Sequence, residues 1–224
     1  MSLNIAMDGP VGAGKSSVAD AVAKRLGILH LDTGAMYRAL GLKALRDGID
    51  LQDEEKIDAL CEGLKLDVRV GENGQETLLD GENVSGLIRT PEVSMAASTV
   101  SRYARVRKRM VKLQQELAAS RDMILDGRDI CTTVLPDADL KIYLTASAEE
   151  RALRRWKEMR ERGDTDSYEE VLSQVRERDE QDMNRPVEPL RQAEDAVLLD
   201  STNLTFEQVI DRIAEMAEEV RHGN

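Results

Sequence analysis

The sequence predicts an α/β fold with a largely parallel sheet and one separate antiparallel insertion, and three observations support this. The chain opens with a continuous apolar strand, residues 3–7, followed by a glycine-rich loop and a helical pattern. Strands covered by helices on both faces read as such uninterrupted apolar runs. Strand-like and helical patterns then follow one another, an order typical of α/β proteins. Residues 64–70 instead alternate strictly between apolar and polar side chains, which is typical of a half-exposed strand.

The first part of the chain has the order strand, loop, helix, strand, helix. Val18, Val22 and Leu26 share one face of the first helix, and Gly27 stands where a left-handed C-cap is common. The remaining elements of this part are a strand at Ile28–Leu31 and a helix at Met36–Arg46 that ends at Gly48.

The alternating stretch at 64–70 is followed by a turn at 71–74 and a second strand through Leu78 and Leu79. This pattern predicts an antiparallel hairpin. Because the alternation differs from the apolar runs of the main sheet, we expect a separate small insertion at about residues 63–90.

The rest of the chain again alternates helices and strands. Thr90-Pro91 combines an N-cap with a first-turn proline and predicts a helix start. The later elements are a helix at Val106–Ala119, strands at Met123–Leu125, Leu140–Leu144 and Ala196–Leu199, and helices that open with the capping-box patterns Ser147–Glu150, Ser167–Glu170 and Thr205–Gln208.

The composition is that of an ordinary globular protein: 224 residues, 41% hydrophobic and 33% charged. No apolar run reaches the roughly 20 residues of a membrane span, and the N-terminus does not resemble a signal peptide, so we expect a cytoplasmic protein. The net charge of −12 argues against a nucleic-acid or membrane surface. Cys61 and Cys131 lack metal-ligand spacing and are expected to be reduced structural thiols.

Residues 9–16 read Gly-Pro-Val-Gly-Ala-Gly-Lys-Ser and match the phosphate-binding P-loop between a predicted strand and a predicted helix. Backbone N–H groups and the helix start favour a polyphosphate, Lys15 can reach the transferred phosphate, and the Ser16 hydroxyl can bind Mg²⁺. The loop alone does not separate a kinase from a GTPase, an ATPase motor or a nucleotide-dependent switch. The chain has no Asn/Thr-Lys-x-Asp motif, which argues against a GTPase.

Two further segments follow predicted strands, where an open α/β sheet forms its ligand crevice. Residues 32–38 read Asp-Thr-Gly-Ala-Met-Tyr-Arg, and the alternative interpretation is a plain helix N-cap with Arg38 exposed. Residues 126–129 read Asp-Gly-Arg-Asp, and the alternative is a β-turn. Two carboxylates that flank an arginine favour a site for phosphate, magnesium and a polar ligand edge.

These motifs, together with Asp8 before the P-loop and Arg-Asp-Glu-Gln-Asp-Met-Asn-Arg at 178–185, resemble the bacterial cytidylate kinases over nearly the whole chain. The resemblance implies a three-layer P-loop kinase core with a five-stranded parallel sheet, an antiparallel β insertion in the region that binds the nucleoside monophosphate (NMP), and a helical lid. It implies one kinase domain over 1–224, with a core at about 1–32, 120–146 and 186–224, an NMP-binding region with the β insertion at about 33–119, and a lid with the helix that follows it at about 147–185.

The resemblance also implies which residues bind the substrates. ATP would be held by Gly9, Pro10, Val11, Gly12, Ala13, Gly14, Lys15, Ser16 and Ser17. CMP would be held by Ser98, Arg107 and Asp129 at the base, by Thr33, Arg178 and Asp182 near the sugar, by Arg38, Arg128 and Arg185 at the phosphate, and by Tyr37. Ser16 and Asp126 would support Mg²⁺, in part through water, and the catalytic residues would be Lys15, Arg128, Arg155 and Arg185.

The predicted lid helix carries Arg151, Arg154 and Arg155, and later Arg160 and Arg162. The alternative is a solvated helix whose arginines pair with glutamates at helical spacing; Arg155 is the preferred lid residue. Offsets of four and three predict that Arg178, Asp182 and Arg185 share one helical face. Gln181 and Met183 stand where side chains are often basic in the family. This difference puts in doubt only the charge around the site, and not the site residues themselves.

The expected reaction is ATP-dependent phosphorylation of CMP and dCMP by in-line transfer. No general base is expected, because the acceptor phosphate is already mostly dianionic near neutral pH. The expected partners are ATP and CMP or dCMP with Mg²⁺, and the protein is expected to be a monomer. Two alternatives stay open: a kinase for another acceptor, such as shikimate or a different nucleotide, and a nucleotide-binding switch without acceptor chemistry.

Overall fold

The computed structural model describes residues 3–71 and 74–223. Its elements in chain order are β1 (Asn4–Asp8), α1 (Lys15–Leu26), β2 (Leu29–Asp32), α2 (Thr33–Arg46), α3 (Glu54–Glu62), β3 (Leu66–Gly71), β4 (Gly74–Leu79), β5 (Glu82–Asn83), α4 (Pro91–Val100), α5 (Ala104–Ala118), β6 (Met123–Gly127), a π-helical turn (Ile130–Val134), β7 (Leu140–Thr145), α6 (Ala148–Glu161), α7 (Tyr168–Asn184), β8 (Val197–Asp200) and α8 (Phe206–His222).

The main sheet has five strands in the order β2-β6-β1-β7-β8, so the predicted five-stranded parallel sheet is confirmed. Strands β1 and β7 run parallel with Met7 opposite Ile142, and β7 and β8 run parallel with Leu144 opposite Leu199. Ile5, Met7 and Ile142 are fully buried. Continuous burial explains why these strands read as apolar runs in the sequence.

The chain divides into two compact units, which are described separately: unit 1 comprises residues 3–28 and 124–223, and unit 2 comprises residues 29–123. In unit 1 the apolar side chains of β1 and β7 pack with those of α1 and α8 in one core. Val18 and Val22 of α1 are buried there, and Leu26 packs against it, as the spacing predicts. A second, smaller cluster joins α6 and α7 through Ala152, Val171 and Val175.

Unit 2 contains the predicted antiparallel hairpin. Strand β3 pairs with β4 with Val68 opposite Thr77, while the predicted turn residues Glu72 and Asn73 lie outside the described part of the chain. Two elements were not predicted. Strand β5 is only two residues long and shows no alternation, and α3 is a nine-residue helix capped by Asp53.

The second helix is predicted to start at Met36 but begins at Thr33, because the Asp32 side chain caps it. The four helix starts predicted from capping patterns are confirmed, with one difference. Thr90 caps α4, and Ser167 and Thr205 form complete capping boxes at α7 and α8. At α6 only half of the box forms: Ser147 accepts the Glu150 N–H, but the Glu150 side chain accepts from Arg154 instead. The Arg154 guanidinium one turn later is the stronger donor for that carboxylate.

None of the described helices is long and apolar enough to cross a membrane. Cys61 and Cys131 are both free and buried. Burial raises the pKa of the Cys61 thiol to about 11, and it also raises the pKa of Cys131. Both thiols are therefore uncharged near neutral pH and act as small apolar side chains.

Candidate active site

The phosphate loop joins β1 to α1 in unit 1. Gly9 has a φ of 154°, and a Cβ there would lie 1.9 Å from the carbonyl oxygen of Leu144, so only glycine fits. Gly14 is the left-handed N-cap of α1, with a φ of 82° and no side-chain cap. The first N–H groups of α1 therefore keep no side-chain acceptor at the cap, which is the arrangement that suits an anionic ligand. The other predicted loop residues, Pro10, Val11, Gly12 and Ala13, lie between these two glycines, and Ser17 lies in the first turn of α1.

Lys15 is buried at the base of this loop. Its ammonium donates to the carbonyl oxygens of Gly9 at 2.7 Å and Pro10 at 2.8 Å. Burial, and then the nearby Arg128 guanidinium, lower the pKa of Lys15, while Asp126, Asp8 and Asp182 act in the opposite direction. A phosphate bound in the loop would add negative charge beside this ammonium and favour its charged form.

Ser16 and Asp126 meet at the end of β6. The Ser16 hydroxyl donates to Asp126 Oδ2 at 2.8 Å, and the Asp126 carboxylate is 4% exposed. A hydroxyl and a carboxylate are oxygen donors of the kind that Mg²⁺ prefers, and this ion usually keeps several waters and binds substrate phosphates. The described residues contain no cluster of three or more His, Cys, Asp or Glu side chains that could hold a metal without such help. The two residues therefore fit a magnesium ion that arrives with a nucleotide.

Asp8 is a site residue that the sequence analysis did not assign. It is the last residue of β1, and its carboxylate accepts the backbone N–H groups of Ile130 and Cys131, both at 2.8 Å. Burial, its largest influence, raises the pKa of Asp8 to about 6. The two hydrogen bonds fix the π-helical turn that directly follows Asp129. A charged residue at the end of an otherwise apolar strand, just before the P-loop, was the available signal.

Three predicted arginines pair with two predicted carboxylates in unit 1. Arg128 Nε binds Asp182 Oδ2 at 2.7 Å, and Arg178 Nε lies 3.5 Å from Asp182 Oδ1. Arg185 donates to Asp129 Oδ1 at 3.2 Å. Asp129 and Asp182 are each 7% exposed. The structure thus brings the predicted residues of 126–129 and 178–185 together in one charged cluster.

The predicted common helical face for Arg178, Asp182 and Arg185 is wrong for the third residue. Helix α7 ends at Asn184, and Arg185 is its extended C-cap with φ −61° and ψ 142°. Pro186 follows directly, and a proline disfavours helical backbone at the preceding residue. Arg185 reaches Asp129 from this extended position, so the spacing argument was incorrect although the residue still joins the cluster.

The arginines of α6 differ in their surroundings. Arg151 is buried and hydrogen-bonded: it makes two hydrogen bonds to Asp179, at 2.9 and 2.7 Å, and donates to the Val11 carbonyl at 2.9 Å. Arg154 binds Glu150 and Ser201, the pairing that the solvated-helix alternative predicts for it. Arg155 is exposed and has no hydrogen bond or ion pair to other residues in the described ranges.

The predicted site residues of unit 2 form their own contacts. Asp32 caps α2 through Oδ1 and binds Arg38 through Oδ2 at 2.7 Å. The N-cap of the alternative interpretation is therefore present, but its exposed Arg38 is not, because the Arg38 side chain is half-buried and paired. The Arg107 guanidinium lies over the Tyr37 ring at 5.9 Å from its centre. Thr33 is buried at the start of α2, and Ser98 is half-buried in α4.

Comparisons with known proteins agree on one family. The family model described as cytidylate kinase matches residues 5–219. A cytidylate kinase from Caldicellulosiruptor saccharolyticus is 50% identical over 214 residues, covering 96% of this chain and 95% of that protein. A cytidylate kinase from Enterococcus faecalis is 47% identical over 211 residues, covering 94% and 93%.

One solved structure supports the fold independently of sequence. An uncharacterized protein from Eubacterium ventriosum superposes with a TM-score of 0.54 and 12% identity, covering 98% of this chain and 99% of that one. At that identity the likeness concerns the fold alone.

Proposed function

Since the chain belongs to the cytidylate kinase family, we propose that it transfers the terminal phosphoryl group of ATP to CMP and dCMP, giving CDP and dCDP. The observation that carries this proposal is the family match over residues 5–219, with relatives about half identical over 96% of the chain. Kinases of this family phosphorylate a nucleotide, which requires a donor site and an acceptor site.

The donor site of the proposal is the phosphate loop. Residues 9–17 bind the ATP phosphates through backbone N–H groups and the start of α1. Lys15 is held by the Gly9 and Pro10 carbonyls at the base of this loop, from which its ammonium neutralises charge on the transferred phosphoryl group.

The acceptor site of the proposal is made up of the residues that the family resemblance implies. Ser98, Arg107 and Asp129 recognise the base; Thr33, Tyr37, Arg178 and Asp182 hold the nucleoside; and Arg38, Arg128 and Arg185 bind the acceptor phosphate. The charge-balanced cluster of Arg128, Asp129, Asp182 and Arg185 supports this assignment, because a bound phosphate can replace a carboxylate as the partner of an arginine. Arg155, exposed and without a polar partner in the described part of the chain, is the proposed lid residue.

Magnesium is the proposed cofactor, held by Ser16 and, in part through water, by Asp126. When bound with ATP, Mg²⁺ neutralises phosphate charge and orients the donor. The 2.8 Å contact between the two side chains places both oxygen donors at one point beside the phosphate loop.

The protein's contribution to the reaction is positioning and charge neutralisation. The acceptor phosphate has a second pKa of about 6 and is mostly dianionic near neutral pH, so no general base is assigned. The difficulty is to bring two polyanions together, and the arginines of the acceptor cluster neutralise that repulsion while they align the attacking oxygen.

We further propose that the single kinase domain works with a core at about 1–32, 120–146 and 186–224, an NMP-binding region with the β insertion at about 33–119, and a lid with the helix that follows it at about 147–185. Its partners are the small nucleotides alone, and it acts as a monomer in the cytoplasm.

An assay that couples ADP release to NADH oxidation tests the proposal. The purified protein with Mg²⁺ and ATP is offered CMP, dCMP, UMP, AMP or shikimate. We expect rapid turnover of CMP and dCMP and much slower turnover of the other acceptors. Faster turnover of shikimate or AMP would instead support a kinase with another acceptor. Tight ATP binding without transfer to any acceptor would support a nucleotide-binding switch.

A further inference from the structure

Unit 2 contains a cavity of about 360 Å³ between α3 and α5, and no predicted substrate residue lines it. Its volume is within the range of small-molecule sites. Four basic side chains of α5 line it, namely Arg105, Lys108, Arg109 and Lys112, opposite two acidic side chains of α3, Asp58 and Glu62. The cavity is therefore rich in positive charge in a protein whose net charge is −12.

The acidic side chains leave much of this positive charge uncompensated. Arg105 Nη1 lies 3.5 Å from Asp58 Oδ2, and the Arg105 side chain is 80% exposed. Lys112 lies 3.8 Å from Glu116 on its own helix, again a long contact, and is 65% exposed. Ion pairs that are this long and this exposed contribute little, so the cations stay available to an anion.

Two buried polar atoms at this cavity have no hydrogen-bond partner among the described residues. They are Nε of Arg109, which is a donor, and Oδ1 of Asp58, which is an acceptor. The Asp58 residue is only 7% exposed. Buried polar groups are nearly always paired, so a donor and an acceptor that line one cavity indicate a ligand that offers the complement of both.

The cavity is distinct from the predicted base-binding face of the same helix. Residues 105, 108, 109 and 112 are spaced by three and four and lie on one side of α5. Arg107 lies roughly 150° around the helix from the centre of that side, and it faces Tyr37. A ligand in the cavity would therefore contact α5 without occupying the position of Arg107.

We propose that this cavity binds a phosphorylated sugar, either free or as part of a nucleotide. Phosphate oxygens accept from Arg109 Nε and are neutralised by Lys108 and Lys112. A sugar hydroxyl donates to Oδ1 of Asp58. Sulfate, which has no hydroxyl group, offers only the contacts of the phosphate oxygens, and unphosphorylated ribose offers only the contact with Asp58, so neither matches the cavity as fully.

Calorimetric titration with ribose 5-phosphate, sulfate and ribose tests the proposal without reference to phosphoryl transfer. We expect ribose 5-phosphate to bind most tightly. The double variant Lys108→Glu, Lys112→Glu should weaken that binding at least about tenfold, because both cations are reversed. Both side chains lie on the outer part of α5 and are not needed for its core, and circular dichroism checks that the variant folds.

The matched control is the double variant Lys24→Glu, Arg212→Glu, which changes the net charge by the same amount at exposed positions of α1 and α8. We expect its affinity for ribose 5-phosphate to stay within about twofold of the parent. Equal weakening in both double variants, or no binding of ribose 5-phosphate at all, would overturn the proposal. Equal affinity for sulfate and ribose 5-phosphate would overturn the contact with Asp58.

Discussion

The Asp8 carboxylate accepts the backbone N–H of Ile130 at 2.8 Å, across 122 positions of the sequence. This contact connects the strand that leads into the phosphate loop with the turn that follows Asp129. The Cys131 N–H makes a second hydrogen bond to the same carboxylate. Asp8 is thus a positioning residue: it binds the backbone that directly follows Asp129, a residue of the proposed acceptor site, and it directly precedes the phosphate loop.

Substituting Asp8→Asn is expected to change how stability depends on pH. The folded-state pKa of Asp8 is about 6, above the ordinary value of 3.8, so between these values the folded protein binds more protons than the unfolded chain. The contribution of Asp8 to stability therefore falls as the pH rises from about 4 to about 6, by up to about 3 kcal/mol. The asparagine variant lacks this loss, so its free energy of unfolding should rise relative to the parent from pH 4 to pH 7.

Urea unfolding followed by circular dichroism at several pH values measures this difference. The exposed Asp137 gives the matched control as Asp137→Asn. Parallel stability curves for Asp8→Asn and the parent across this range would show that the charge of Asp8 does not oppose folding.

Substituting Ser16→Ala is expected to raise the Mg²⁺ concentration for half-maximal activity about tenfold, the lower end of the range seen when groups that support a metal are removed. The serine hydroxyl bound to Asp126 is one of the two proposed magnesium contacts. Titrating Mg²⁺ at fixed ATP in the coupled assay measures the shift. Ser120→Ala removes an exposed hydroxyl at the end of α5 and serves as the control. A lower kcat with an unchanged Mg²⁺ dependence would show that the Ser16 hydroxyl is not a magnesium contact.

Substituting Lys15→Ala is expected to lower kcat by a factor of about 100 or more, the effect of removing one group that stabilises transition-state charge. The KM for CMP should change little, because the ammonium is held by the phosphate loop on the donor side. Steady-state kinetics with CMP as the varied substrate separates the two constants. A variant that keeps kcat but loses affinity for CMP would show that Lys15 acts at the acceptor site and not on the transferred phosphoryl group.

Arg151 is expected to stabilise the fold, in contrast to the lid role that the sequence left open for it. Arg151→Met leaves the Asp179 carboxylate, 14% exposed, without its bidentate partner and should lower the free energy of unfolding by about 3 kcal/mol. The double variant with Asp179→Asn should lose less than the sum of the two single losses. Arg155→Met, at an exposed position of the same helix, should change stability by less than about 0.5 kcal/mol. Additive losses would mean that the two side chains are not coupled.

The contrast between Arg151 and Arg155 shows what could be predicted from the sequence. The phosphate loop, the strands and most helix starts follow from local patterns, so their residues could be placed without coordinates. Five arginines in one helix look alike in the sequence, however, and only the position of Asp179 on the next helix distinguishes the buried one. The prediction that Arg185 lies on the helical face of Arg178 and Asp182 was wrong for a local reason that the sequence contains. Pro186 follows Arg185 directly, and the helix ends at Asn184. The charge of Asp8 at the end of an apolar strand could be noticed in the sequence, but its contact with residues 130 and 131 could not be predicted from any local pattern.

Substituting Asp129→Ala is expected to relax the choice of acceptor base and to raise the KM for CMP. The carboxylate is one of the proposed contacts to the cytosine edge, and a site built to pair such an edge rejects other bases because buried polar groups would be left unpaired. The preference for CMP over UMP and AMP, taken as a ratio of kcat/KM values, should fall by about tenfold or more, which corresponds to about 1.4 kcal/mol. Asp137→Ala serves as the control for removing an aspartate from unit 1.

Asp129 also accepts from Arg185 at 3.2 Å, so some loss of kcat is expected as well. That loss would affect all acceptors alike, and only the change in their ratio measures base recognition. If the variant keeps the full preference for CMP, Asp129 does not read the base.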